Sequence, residues 1–401
     1  MQQEEPLFEN EEPRILEELT SSGEGAGLEI ERGHNPEGAI HAPFDPSKID
    51  VITQARTVDL LLTRLKEGEL DLSPDFQRRA NIWDNDRKSS LVESMLLRIP
   101  IPSLYMSEDR EGNYTVVDGL QRVCAIAHFV DVTSLNKAVK ARLLPLRLTN
   151  LQSFEYKDKT FAELPRPLQR RIKETELTLH VIRASTPGDV KFNIFSRINQ
   201  GGLPLTAQEI RNAVYKGLWR EKVRNMAESK IFRTATSNRI KGERMEDMEL
   251  VLRFVAHYTF DAKRPDGQNM DTFLNDTVEK RASHWTADQW AEIEAAFYRA
   301  LEAAARVFRR YAFRKYFGPD QYRRPINRGL FETETVLLAR LSSAQVDILA
   351  SRANLVLEKL AVLLNHDDNF KNALLYATGR GSASNIRLQT LGAALSEVLR
   401  A

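Results

Sequence analysis

Apolar residues recur every three to four positions over much of the chain, a spacing that predicts helices. In TVDLLLTRLKEGEL, Val58, Leu61, Leu62 and Leu65 share one face, and Gly68 is placed to end the helix. DNDRKSSLVESMLLRIPIP repeats the pattern through Leu91, Met95 and Leu96, with Asp84 or Asp86 to cap it and Pro100 to stop it. SLYMSE and NYTVVDG are short β-rich runs either side of a turn at Asp109–Asn113, and they read as strands. QRVCAIAHFVDV is then a helix, LLPLRL and TLHVIRA two more strands, and FAELPRPLQRRIKET a helix between them. From Pro187 onward the pattern is almost wholly helical, and no repeat of fixed period is present. The expected fold class is α+β: a small mixed domain over residues 48–186, followed by an α-helical domain over residues 187–401.

Residues 1–47 break the pattern. They are rich in Gly, Pro and Glu with little apolar periodicity, so a disordered acidic arm is expected there, in which Pro13–Leu19 could form a short helix on a partner. Charge separates the arm from the rest. The arm holds twelve Asp/Glu and two Arg, net −10, and the remainder holds 55 Lys/Arg and 44 Asp/Glu, net +11, so a total of +1 hides a basic folded part. One reading is a solvated tail on an ordinary surface; the other is a tail that screens a basic groove from nucleic acid. No run of about 18 apolar residues exists, which argues against a membrane span. The acidic N-terminus lacks the apolar centre of a secretory signal. Cys124 is the single cysteine, which excludes an internal disulfide framework and suits a cytoplasmic protein. Its apolar surroundings, VCAIAHFV, make it a buried core thiol before a nucleophile.

The chemistry concentrates at Asp118-Gly119-Leu120-Gln121-Arg122, where a strand feeds a tight turn and then a helix. Gly119 permits a backbone conformation other residues resist. The helix start offers free N–H groups and a partial positive charge to an anion. Arg122 could fork onto a phosphate, Asp118 could hold Mg²⁺ or a ribose hydroxyl, and Gln121 could position water or a base edge. The alternative is that Asp118 caps the helix and Arg122 pairs with a surface acid. Upstream, Gln77-Arg78-Arg79 lies in an irregular stretch closed by Trp83, with no helix face to decorate. Downstream, NQGGLPLTAQEIRN makes a tight loop and then a helix whose Thr206 and Glu209 form a capping box. It reads as a domain junction, as a wall of the pocket through Asn199, Glu209, Arg211 and Asn212, or as both.

These three segments together resemble a known family. DFQRRANIWDNDRKSSLVESMLLRIPIPSLYM, then VVDGLQR, then FSRINQGGLPLTAQEIRNAVY are similar in order and spacing to the N-terminal domain of GmrSD-type restriction endonucleases. The resemblance covers roughly residues 55–215 and implies a ParB/sulfiredoxin-like fold that binds a nucleoside triphosphate, often with hydrolysis and with Mg²⁺. It implies catalytic roles for Asp118, Gln121 and Arg122, and binding roles for Gln77, Arg78, Gly119, Arg197, Asn199, Glu209, Arg211 and Asn212. Leu120 departs from the family's Asp-Gly-Gln-Gln-Arg motif, which matters if that side chain meets nucleotide and little if it points into the core.

The helical half adds RVFRRYAFRKYFGPDQYRRPINRG, residues 306–329, in which aromatics interleave with Arg and Lys and Asp320 is the one acid. Arg310, Arg314, Arg323 and Arg324 are its candidate nucleic-acid contacts, unless the aromatics form an inner helix face. Two-part members of the resembled family add a His-rich nuclease. The seven histidines here form no His-x-x-x-His pair, and Asn365-His366-Asp367-Asp368 reads as a helix end, so a stand-alone form is expected. Three functions follow: a nucleotide-binding, NTP-hydrolysing regulator or sensor in prokaryotic defence against foreign or modified DNA, acting with DNA, a nuclease or another defence protein; a non-enzymatic DNA-binding or adaptor protein; and a cryptic Mg²⁺-dependent endonuclease.

Overall fold

The structure is a computed structural model and describes residues 15–20, 23–31, 46–72, 83–151, 156–198, 205–260, 264–319, 324–375 and 380–401. The chain divides into two compact units. One takes residues up to His34 together with Leu218–Ala401, and the other takes residues 35–217.

The chain first forms an antiparallel hairpin of β1 (Glu17–Leu19) and β2 (Gly25–Glu29), which belongs to the first unit. The second unit then runs β3 (Val51–Thr57), α1 (Val58–Glu67), β4 (Leu70–Asp71), α2 (Asn85–Leu96), β5 (Leu104–Glu108), β6 (Tyr114–Asp118), α3 (Leu120–Val130), α4 (Val132–Val139), α5 (Arg166–Glu174), β7 (Glu176–Ile182), α6 (Gly188–Ile198) and α7 (Ala207–Val214). Its five strands make one mixed sheet in the order β3-β7-β5-β6-β4. β4 runs parallel to β6 and β5 parallel to β7, and the β3–β7 and β5–β6 pairs are antiparallel.

Strand alternation splits the sheet into two faces. Leu104, Met106, Val116, Leu179 and Val181 point into a core shared with helices α1 to α5. Val117 and Ile182 point to the other face, where Phe192 and Phe195 of α6 and Ile210 and Ala213 of α7 cover them. This cover corrects the expected boundary at residue 187: α6 and α7 are needed to bury the second sheet face, so the mixed unit reaches Gly217. LLPLRL is another correction, since residues 143–148 join no ladder. β3 opens on the strand formers Val51-Ile52-Thr53 but alternates only half-buried and exposed positions, so no apolar face marks it in the sequence.

The first unit continues with α8 (Leu218–Glu228), α9 (Lys230–Ala235), α10 (Glu246–Tyr258), α11 (Met270–Lys280), α12 (Ala287–Val307), α13 (Arg328–Ala339), α14 (Ser343–Ser351), α15 (Ala353–His366), α16 (Asp368–Leu375) and α17 (Gly381–Arg400). α13 is its central rod, with Leu330, Phe331 and Val336 fully buried. The β1–β2 hairpin docks on this unit. Leu28 is buried and bridges to Ile326, and Glu18, Glu29 and Glu31 pair with Arg328, Lys315 and Arg253. Residues 15–20 and 23–31 are therefore an ordered clasp rather than a free arm, and the short helix expected toward Leu19 is a strand at Glu17–Leu19. Paired charges explain why the segment reads as disordered: its acids look solvated until their buried partners are placed.

Candidate functional site

At the end of β6 the chain turns through Gly119, whose φ of +92° lies in the left-handed region, and enters α3. A side chain there is excluded twice, by the backbone and by Leu104, whose Cδ2 would lie 2.2 Å from an added Cβ. The first helical bond runs from Val123 N–H to Gly119 O, and no side chain caps the turn before it. Asp118 is therefore not a helix cap. It accepts instead from Arg122, whose Nη2 lies 2.7 Å from Asp118 Oδ2, while Nη1 donates to the carbonyls of Pro102 at 2.6 Å and Ser103 at 3.1 Å. The guanidinium thus ties the start of β5 to the end of β6 and is fixed beside the uncapped helix start.

Gln121 binds the next segment. Its Oε1 accepts from the backbone N–H of Trp83 at 3.4 Å, and the Trp83 ring is covered by Arg87 at 4.7 Å. Asp84 caps α2 by accepting from Arg87 N–H. Two ends of the Gln77–Arg78 segment are therefore located: it leaves β4 beside β6 and returns at Trp83 on Gln121. Gln77 and Arg78 themselves lie outside the described residues. Leu120 packs half-buried against the main core, so its departure from the resembled motif is absorbed by packing.

Gln121, Cys124 and His128 share one face of α3, toward α2. There the sequence reading missed Lys88. It is buried, and its ammonium makes no hydrogen bond or ion pair with any described residue. Burial pulls its pKa down, against the pull of Cys124 and Asp84 that raises it. The sequence held a signal: Lys88 falls on the Leu91–Val92–Met95 stripe of α2, a position where an apolar residue is expected. Burial pushes the Cys124 thiol up to about 12, as suits a core thiol.

The third segment contributes differently from expectation. Glu209 is buried, and its Oε2 accepts from Thr206 N–H at 2.7 Å while Thr206 Oγ1 accepts from Glu209 N–H, so the capping box is made and the carboxylate is engaged in it. Arg211 and Asn212 are buried too. Arg211 donates to Gln208 Oε1 at 2.6 Å and Asn212 accepts from Gln208 Nε2 at 3.0 Å. This polar side of α7 belongs to the layer that packs Ile210 and Ala213 on the β6 residue Val117, next to Asp118. Arg197 is exposed on α6. Asn199 lies outside the described residues.

An anion fits the Asp118–Arg122 turn, since the helix start is uncapped and a guanidinium is fixed beside it. A protein-held metal does not: among the described residues no group of three or more His, Cys, Asp or Glu is placed to bind one. Asp118 could at most add one oxygen to Mg²⁺ that phosphates and water hold.

The candidate nucleic-acid residues of the helical unit divide. Arg314 is buried and donates to the carbonyls of Ala312, Arg324 and Thr236, a structural role that removes it from the list. Phe308, Phe313 and Tyr316 are buried, so most of the interleaved aromatics serve the core. Arg324 lies over Phe317 at 4.5 Å, and Arg310 is exposed against the Tyr311 ring. Arg323 lies outside the described residues. No described helix is long and apolar enough to cross a membrane.

Residues 59–216 match the family described as GmrSD restriction endonuclease, N-terminal domain. No curated protein and no solved structure matches the chain.

Proposed function

From a chain that carries the GmrSD N-terminal domain over residues 59–216, we propose a nucleotide-binding regulator or sensor in defence against foreign or modified DNA. The observation that carries the reading is the uncapped start of α3 with Arg122 fixed beside it by Asp118 and two carbonyls. The nucleotide's phosphate would take the α3 N–H groups and the exposed edge of Arg122. Trp83 and Gln121 would set the near wall. Mg²⁺, where present, would be held chiefly by the phosphates, with Asp118 as one protein ligand. Hydrolysis would require Gln121 to align water and Arg122 to stabilise the developing charge.

A thermal-shift screen against ATP, GTP, CTP and UTP, with and without Mg²⁺, tests binding. A ligand at a hundredfold excess over its Kd adds about 2.7 kcal/mol of stability. A flat response to all four nucleotides would remove the reading. Phosphate release by wild type and Arg122→Ala tests turnover, and equal release by both would remove the assignment to this turn. Binding without release favours the adaptor reading. The engagement of Asp118 by Arg122 supports that second reading, because among the described residues it ties one oxygen of the carboxylate at the turn to a cation.

A further inference from the structure

A cavity of about 560 Å³ opens on the helical unit between the end of α10 and the start of α12, and none of the Asp118–Arg122 turn residues lines it. It falls in the size range of small-ligand sites. Its walls are aromatic and its rim is charged: Tyr258, Phe260 and Trp285 line it with Arg281, Gln289 and Glu292.

Each wall is held rigid from behind. Trp285 precedes the capping residue Thr286 and meets Trp290 edge-on at 5.1 Å, the staple that fixes how the chain enters α12. Tyr258 stacks on Phe254 at 5.2 Å, and Phe254 is fully buried. Phe260 meets Phe273 edge-on at 5.4 Å. Trp285, Tyr258 and Phe260 are nonetheless half-exposed, so part of each ring remains open to a ligand.

The polar groups are held as firmly, with capacity left over. Arg281 lies over Phe260 at 4.7 Å and gives one bond, from Nη1 to Thr259 O at 3.3 Å. A guanidinium carries five N–H donors, so most of its capacity is unspent among the described residues. Gln289 uses its Oε1 to accept from Thr286 N–H, which leaves its amide NH₂ to donate. Glu292 is exposed and forms no ion pair or hydrogen bond with a described residue. The cavity thus offers ring faces, a fixed set of donors and a lone carboxylate.

We infer that this cavity binds a nucleobase, and guanine before the others. A planar ring stacks on Trp285 and Tyr258. Guanine presents O6 and N7 as an acceptor pair, which suits Arg281 and Gln289. Its N1–H and N2–H₂ form a donor pair, which suits a carboxylate such as Glu292; adenine and the pyrimidines lack that pair. The base could come from a free nucleoside or from an unpaired stretch of nucleic acid, and both carry the same recognised edge.

Calorimetric titration of the full chain tests this with ligands that lack a phosphate and so do not probe the α3 turn. Guanosine, adenosine, cytidine and uridine are titrated first, then unpaired DNA oligonucleotides with and without guanine. Guanosine is expected to bind more tightly than the other three. Trp285→Ala should weaken it about tenfold or more, the loss typical of a removed stacking partner. Glu292→Gln should abolish most of the preference for guanosine over adenosine. A response only to guanine-bearing oligonucleotides assigns the base to a nucleic-acid strand. The inference is overturned if nothing binds saturably, if Trp285→Ala binds guanosine as wild type does, or if adenosine binds as well as guanosine.

Discussion

Arg122 and Asp118 hold each other at 2.7 Å across one turn, and the other arm of the guanidinium is bonded to Pro102 and Ser103. The carboxylate both aims the guanidinium and opposes an incoming anion. Asp118→Asn keeps an acceptor for Arg122 and removes the negative charge beside the helix start. Without Mg²⁺, nucleotide affinity should rise about two- to fivefold, the effect of one charge at an exposed helix end. With Mg²⁺, affinity should fall if Asp118 contributes a ligand oxygen. Titration of one nucleotide in EDTA and in Mg²⁺ separates the two roles, and an Asn variant identical to wild type in both conditions would assign Asp118 neither.

Gly119 and Gly68 share a left-handed φ, +92° and +82°, but differ in surroundings. An added Cβ at Gly68 meets nothing within 4 Å, and one at Gly119 runs into Leu104. Gly68→Ala should therefore cost about 1–2 kcal/mol from the backbone alone. Gly119→Ala adds overpacking of about 1–3 kcal/mol. Urea denaturation of the two variants checks the difference, and equal midpoints would show that Leu104 moves aside freely.

Local signals were legible in the sequence where one element decides its own form. The α1 stripe and its Gly68 end, the Asp84 cap, the Thr206–Glu209 box and the strand–turn–helix at Gly119 all appear as read. Reading failed where a distant partner decides. Nothing near Glu18, Glu29 and Glu31 reveals that Arg328, Lys315 and Arg253 wait 310, 286 and 222 residues away. The same holds for α6 and α7, whose apolar faces look like any helical domain until Val117 and Ile182 supply a sheet face to cover. At the site, the turn was legible because its chemistry is contiguous. Lys88 showed only as a polar residue on the apolar stripe of α2, and its burial follows only once α3 closes over it.

Cys124 is fully buried, and its thiol is pushed up to about 12. Thiolate is the reactive form, so the native protein should resist alkylation at pH 8 while the urea-unfolded chain reacts at the rate of a free thiol. Fast, single-site labelling of the native chain by iodoacetamide would contradict this burial.

Glu29 and Lys315 form a buried pair at 2.5 Å, with Asn327 also donating to the carboxylate at 2.9 Å. Removing one partner leaves an uncompensated charge in the interior. Glu29→Ala should cost about 3–5 kcal/mol, whereas the double variant Glu29→Leu/Lys315→Met, which replaces the pair by apolar groups, should recover most of the loss. A double-mutant cycle by denaturant titration reads the coupling. Additive losses would mean that the hairpin is fastened by its other contacts, Leu28 and the Glu18–Arg328 pair among them.

His257 sets a pH dependence of stability. It is buried beside Glu332, Arg264, Arg387 and Arg253, and desolvation holds its pKa down to about 4. Its Nδ1 lies 2.9 Å from Arg253 O, which can only accept, so Nδ1 carries the proton and Nε2 faces Ser384 Oγ at 3.2 Å as the neutral tautomer requires. An unfolded histidine takes up its proton near pH 6.5. Between that pH and about 4 the unfolded chain therefore binds more protons than the folded one, and stability falls as pH falls. The contribution is fully present above pH 6.5, and its loss is complete below about pH 4, amounting to about 3 kcal/mol. Glu332 is held below the ordinary carboxylate range, against desolvation and chiefly by Arg387, so its own loss lies toward the acid end of the window. Glu334 and Glu246, which burial holds above that range, and His128, which burial holds below the usual imidazole value, also titrate across it, so the difference between wild type and a His257 variant isolates His257. Denaturant titrations at half-unit steps from pH 7 to pH 4 on wild type and His257→Gln should show a shallower slope in the variant, whatever its absolute stability. Parallel slopes across the window would place the titration elsewhere.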